Sequence, residues 1–344
     1  VRESFGQPAL SVQQNRIIVA TAEGDVVAYD TASGSELWRY AYGAPLESAA
    51  TLVDSGGELN GQEHVVIGSR DGVLMALDVA TGSHLWTADL DGEMRAAPRL
   101  AEGVLIVTTT ANKVSAIEPD TGRIIWTHGR AAPTGLTVEG HARAAVAGGR
   151  VYAAFSDGFG AAFSLKDGEL LWGRPLALQG GSFIDADADP CVLGDVVFMA
   201  SYADGVYALN AADGQTLWNQ PGEAISSLLL HNDQLIAASA DGTVWGMVPD
   251  TGAVRWRTQL NAAPVSRLLG DDNTIAIAAG AAGLVVLDGR DGQPLQATPL
   301  GERVSNDMRK VGNLLTFMSA PGHLYLWQRR GASARHGAEG VLQR

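Results

Sequence analysis

The same eleven-residue phrase returns seven times along this chain. In its second copy it reads Ala76-Leu77-Asp78-Val79-Ala80-Thr81-Gly82-Ser83-His84-Leu85-Trp86. The Gly of each copy is Gly34, Gly82, Gly122, Gly168, Gly214, Gly252 and Gly292. Trp follows at Trp38, Trp86, Trp126, Trp172, Trp218 and Trp256, and the seventh copy carries Gln296 instead. A recurrence of roughly 40–48 residues marks a propeller, in which each repeat is one blade that cannot bury its apolar faces alone.

Each unit reads as antiparallel hairpins. An apolar run such as Val65–Gly68 or Val196–Ala200 leads to a polar turn such as Arg70-Asp71-Gly72 or Ala203-Asp204-Gly205. An alternating run such as Val206–Leu209 follows, then the Asp…Gly turn, then the strand that carries Trp. An upstream segment such as Ala96–Leu100 or Ala144–Val146 completes four strands, one blade. The repeat Gly supplies a positive φ, and the Asp four residues earlier accepts hydrogen bonds from turn amides. The Trp reads as a wedge between neighbouring blades, its indole N–H bonded to a neighbour. His84, between Gly82 and Trp86, reads as an exposed strand residue.

After the seventh copy, Leu314–Met318 and Leu324–Trp327 form two strands of an eighth blade, with Val304–Asn306 a candidate third. Val1–Phe5 has no unit of its own and is expected to close that blade, because closure removes exposed sheet edges. The expected fold is therefore all-β: an eight-bladed propeller of four-stranded antiparallel blades closed by the N-terminal strand. Residues 1–328 form that single domain, and residues 329–344 form a disordered tail.

A net charge of −14 leaves no electrostatic footprint for nucleic acid and is repelled by anionic lipid. Cys191 is the single cysteine, which excludes an internal disulfide and a cysteine-based metal cluster. No signal peptide and no transmembrane run is in view, and the opening on Val1 reads as a trimmed chain. No EF-hand pattern fits Asp185-Ala186-Asp187-Ala188-Asp189, whose sixth and twelfth places are Pro190 and Val196, so carboxylates capping loop amides are the better reading. The seven His show no ligand spacing, and there is neither a nucleophile elbow nor a phosphate loop. The pattern points to a binding module with no catalytic residues, no metal and no cofactor.

The repeat's own irregularities indicate where binding sits. Of the intervals between successive Trp residues, the first, third and fourth are long. The first holds Asp54–Glu63, a Gly-rich acidic hairpin tip, while the others hold Thr127–Gly140 and Gly173–Asp189. These two connect the last strand of one blade to the first of the next. They open on one face from successive blades and should lie side by side, and loops on a rigid scaffold are where binding residues gather.

The phrase A-x-D-x-x-T-G-x-x-x-W resembles the pyrroloquinoline-quinone (PQQ)-type propeller repeat more than WD40. The quinone-dependent dehydrogenases that share it are longer, and their alcohol dehydrogenases carry an adjacent Cys pair that this chain lacks. The chain is similar, from about residue 1 to 328, to the BamB family of outer-membrane β-barrel assembly lipoproteins. Leu136-Thr137-Val138-Glu139-Gly140 resembles that family's segment contacting the barrel-forming partner BamA, and Asp185 to Pro190 resembles the acidic segment that completes the contact.

The resemblance implies Leu136 and Val138 as apolar anchors and Asp185 and Asp187 as carboxylates pairing with basic groups on the partner. Glu139 stands where the family carries Arg, which implies a compensating change in the partner or a changed docking mode. The implied function is a non-enzymatic scaffold of the β-barrel assembly (BAM) complex at the periplasmic face of the outer membrane. It would bind the periplasmic (POTRA) domains of BamA, with unfolded outer-membrane protein strands as a further partner, and would be lipid-anchored through an N-terminal Cys absent from this sequence. A PQQ-type propeller enzyme and a generic periplasmic adaptor with a different partner are the alternatives.

Overall fold

The computed structural model describes residues 8–328 except 12, 22, 47, 55–61, 132–141, 177–184, 187, 262–264, 266, 281, 305–307, 312–313 and 320–322. Those residues form 31 strands and no helix. Seven sheets have four strands and one has three, each an antiparallel meander in sequence order. Blade 1 is built from Ala9–Ser11, Arg16–Ala20, Asp25–Asp30 and Glu36–Ala41. Blade 4 comprises Ala145–Ala147, Arg150–Ala154, Phe159–Ser164 and Leu170–Pro175; blade 5 comprises Cys191–Leu193, Val196–Ser201, Gly205–Asn210 and Thr216–Gln220. First strands of successive blades touch one another, so they surround the centre, and the Trp-bearing fourth strands lie outermost.

The repeat phrase is a turn plus a bulge. In the turn, the seven repeat Gly have φ between 69 and 74°, a region open to Gly at no steric cost. Asp78 Oδ1 accepts the Thr81 N–H at 2.7 Å, and the Gly82 N–H reaches the Asp78 carbonyl at 2.8 Å. The same bonding from Ser33 and Ala32 lowers the Asp30 carboxyl, and Arg290 brings Asp288 down to about 2. Two residues before each Trp the ladder slips: Ala28 pairs Trp38 but Tyr29 pairs Glu36, leaving Leu37 as an unpaired bulge residue. The same slip recurs in blades 2 to 7. The bulge residues Leu37, Ile125, Leu171, Leu217 and Leu295 are exposed, and Leu85 of blade 2 is half-buried.

The core lies in the seams between blades. One cluster joins Ile18, Val26 and Ala28 of blade 1 to Val65, Ile67, Met75 and Leu77 of blade 2, and equivalent clusters follow around the ring. Each buried Val, Leu or Ile contributes about 1.5–3 kcal/mol. The Trp closes each seam. Trp38, Trp86, Trp126, Trp172 and Trp218 donate their indole N–H to Val79, Pro119, Leu165, Ala211 and Pro249 carbonyls of the next blade, at 2.8–3.0 Å. Trp256 bonds instead to Gln234 Oε1 at 2.9 Å, and Gln234 Nε2 donates onward to the Gly289 carbonyl at 2.9 Å. A side chain thus relays the sixth bond.

Blade 8 departs from expectation at its first strand, which is Arg309–Val311 and not Val304–Asn306. Val304 makes isolated bridges to Gly280 of blade 7 and to Ser319, so it links two blades and does not start a ladder. The expected closing segment Val1–Phe5 and the tail 329–344 lie outside the described residues, as does the tip 55–61 of the hairpin whose Asp54 pairs Glu63. Among the described residues, blade 8 has three strands.

Candidate partner-docking face

A meander of four strands places the turns between second and third strands, and the connections between blades, on one face. Both long connections therefore leave from that face, the first after Ile124–Gly129 and the second after Leu170–Pro175. Leu136, Val138 and Glu139 of the first, and Asp187 of the second, lie outside the described residues. The described ends of the connections meet. Ala142 and Ala186 line the same shallow cleft, together with Arg95, Thr108, Asn112, Lys113 and Phe155.

The cleft's polar groups are tied down from within the face. Thr108 Oγ1 donates to the Ala142 carbonyl at 2.9 Å, and Asn112 accepts the Ser156 N–H at 3.0 Å. Arg95 pairs with Glu93 at 2.8 Å, and Lys113 pairs with Asp91. At the rim, Arg130 donates to Asp157 at 2.7 Å while its guanidinium carbon stands 3.6 Å from the Phe159 ring centroid. That stack presents a cation held over an aromatic face, a geometry worth about 0.5–2 kcal/mol.

The alternation Asp185-Ala186-Asp187-Ala188-Asp189 has a physical cause. Its backbone threads between blades, with the Ala186 N–H on the Phe155 carbonyl at 3.3 Å and the Tyr202 N–H on the Asp185 carbonyl at 2.8 Å. Ala186 packs into the seam of blades 4 and 5, and Ala188 into that of blades 5 and 6. Asp185 is itself fully buried, so a direct pair with a group on a partner requires this segment to open.

Asp189 carries the strongest local bonding. Its Oδ1 accepts the Arg143 N–H at 2.8 Å, and its Oδ2 takes Arg143 Nε and Arg267 Nη1 at 2.7 Å each. Burial works against ionisation of Asp189, but the two guanidiniums outweigh it and hold the carboxyl well below its usual range. Burial, with the Asp189 charge beside it, pushes the Cys191 thiol up to about 12, so it is not a thiolate ligand at neutral pH. Among the described residues no group of three or more His, Cys, Asp or Glu is placed to hold a metal ion.

The sequence reading missed Arg143 and Arg267, although a signal was present. Ala145, Cys191 and Leu269 pair with Tyr152, Phe198 and Ala276, which are themselves opposite Ala162, Ala208 and Val286. Those three face Trp172, Trp218 and Gln296. Arg143, Asp189 and Arg267 each stand two residues earlier, so they occupy one level of the ring on blades 4, 5 and 7. Counting back from each repeat would have aligned them.

Fold and repeat together define an eight-bladed propeller of the PQQ-repeat class. The family model described as outer membrane protein assembly factor BamB matches residues 2–59, 52–258 and 185–317. The chain belongs to the BamB family. Among solved structures it is similar to BamB from Moraxella catarrhalis, with a TM-score of 0.81 and 23% identity over 96% of this chain and 98% of that one. It is also similar to the computationally designed Ika8 protein, with a TM-score of 0.77, 16% identity and 96% and 97% covered. Saccharomyces cerevisiae Sqt1 likewise gives a TM-score of 0.77, at 12% identity and the same coverage. At these identities the likeness to the solved structures concerns the fold. No curated protein matches the sequence.

Proposed function

We propose that this chain is a non-enzymatic scaffold subunit of the BAM complex that binds the periplasmic domains of BamA through the face carrying the two long connections. The family assignment over most of the chain supports the complex, and the periplasmic side of the outer membrane as its place of work. The observation that carries the docking site is the meeting of the two connections at one cleft, through Ala142 and Ala186, clamped by Arg143 and Asp189. Leu136 and Val138 are the apolar anchors of this proposal, Glu139 sets the partner's complementary charge, and Asp187 completes the acidic side, joined by Asp185 when its segment opens. The outer blade edges are the weaker surface for added strands, because each repeat copy bulges there and a bulge blunts strand pairing.

A rigid propeller adds binding surface and fixes the orientation of its partner with little ordering cost. The test is a pull-down with the same organism's BamA periplasmic domains. Wild type should be retained, while Leu136→Ala and the Asp185→Ala/Asp187→Ala pair should be lost or weakened. Failure of wild type to bind would remove the function, and indifference to the substitutions would remove the site.

A further inference from the structure

We propose that Asp189, Arg143 and Arg267 form a clamp that fixes the spacing of the two docking connections, so that a residue on blade 7 sets how well the face engages its partner. The inference rests on the docking reading above and names positioning residues for it.

Backbone bonds from Ala186 to the Phe155 carbonyl and from Tyr202 to the Asp185 carbonyl hold the start of the segment Asp185 to Pro190. Ala186 and Ala188 fill seams but offer only a methyl group each. Asp189 attaches its far end, with three bonds of 2.7–2.8 Å to two arginines. Arg143 closes the first connection, since it precedes the strand Ala145–Ala147. Its main-chain N–H and its Nε bind the two oxygens of one carboxylate, so position and orientation are both fixed. Asp189 closes the second connection, before Cys191–Leu193. The pair therefore ties the two connections end to end.

Arg267 adds the third point from the strand Arg267–Asp271 of blade 7. It reaches past blade 6, whose residue at the same level is Ser227, buried and too short to intervene. Asp189, Arg143 and Arg267 side chains are 13%, 24% and 18% exposed, so the ion pairs are shielded from water. Ion pairs of this burial lose much more when one member is removed than surface pairs do. Both guanidiniums meet at Oδ2, while the Arg143 main-chain N–H takes Oδ1.

The test uses the full chain and purified BamA periplasmic domains, with affinity, thermal midpoint and amide hydrogen exchange read on each variant. Asp189→Asn and Arg267→Gln should weaken binding by on the order of tenfold and speed exchange at the amides of Ala186 and Tyr202, which bond across this segment. Arg267→Gln should add nothing further on top of Asp189→Asn, and Arg267→Lys should recover part of the affinity. Leu136→Ala should weaken binding with exchange unchanged. Gln234→Leu, remote from the clamp, serves as the control for general destabilisation and should bind as wild type does despite a lower midpoint. Wild-type affinity in Asp189→Asn or Arg267→Gln, or a loss in Gln234→Leu equal to theirs, overturns the clamp while leaving the docking reading intact. Absence of binding by wild type overturns the docking reading, and the clamp's role falls with it.

Discussion

Trp86 lies so close against Gly122 that a Cβ added to the glycine would fall 2.4 Å from its ring. Every described seam from blade 1 to blade 7 repeats this relationship: Trp38 on Gly82, Trp126 on Gly168, Trp172 on Gly214, Trp218 on Gly252 and Trp256 on Gly292. The two most recurrent residues of the repeat are thus one contact, made between the Trp of one blade and the Gly of the next. Gly122→Ala should cost about 2–4 kcal/mol, from the left-handed backbone and the displaced indole together. Gly103→Ala, at φ 78° with nothing within 4 Å, should cost only the backbone part, about 1–2 kcal/mol. Denaturant unfolding of both variants separates the two contributions, and equal losses would show that the Trp contact adds nothing.

Gln234 links Trp256 to the Gly289 carbonyl, and it is buried. Gln234→Leu should destabilise the chain by about 1–3 kcal/mol, because a buried donor and acceptor lose their partners. Thermal unfolding checks the loss, and a shift in tryptophan emission reports the changed indole environment. An unchanged midpoint would show that the relay is dispensable.

Asp189 ionises well below its usual range in the folded chain. A carboxyl depressed in the folded state stabilises above its unfolded pKa, roughly 4, and that contribution is lost as pH falls through the folded value. Asp189→Asn should therefore melt lower than wild type at neutral pH, and the gap should narrow as the solution is acidified below about pH 4. A gap independent of pH would show that charge is not what the arginines recognise.

The Cys191 thiol, pushed up to about 12 by burial and by Asp189, should resist alkylation at mildly alkaline pH in the folded chain and react readily after denaturation. Mass spectrometry of an iodoacetamide time course reads this directly. Rapid modification of the folded protein would contradict the raised Cys191 thiol.

The scaffold was legible in the sequence because its geometry needs rare residue types at fixed places. Gly34 to Gly292 must take positive φ, and each Trp needs a flat neighbour, so both survive as a visible period. What the sequence hid depends on pairing between blades. Leu37 reads as an ordinary strand residue until the ladder slips beside Trp38. Val304 looks like a strand start, yet its partners Gly280 and Ser319 belong to two different blades. Asp189 sits in an acidic run that invites a partner or metal reading, while its actual neighbours, Arg143 and Arg267, come from blades 4 and 7. The connections themselves were legible as departures from the period, and their meeting at Ala142 and Ala186 follows from the side on which such connections leave a blade.

The docking face is the central claim, and site-specific photo-crosslinking in cells tests it most directly. A photoreactive residue at position 136 should capture BamA, whereas one at position 102, in the exposed turn between first and second strands on the opposite face, should not. Capture from position 102, with none from position 136, would contradict the account.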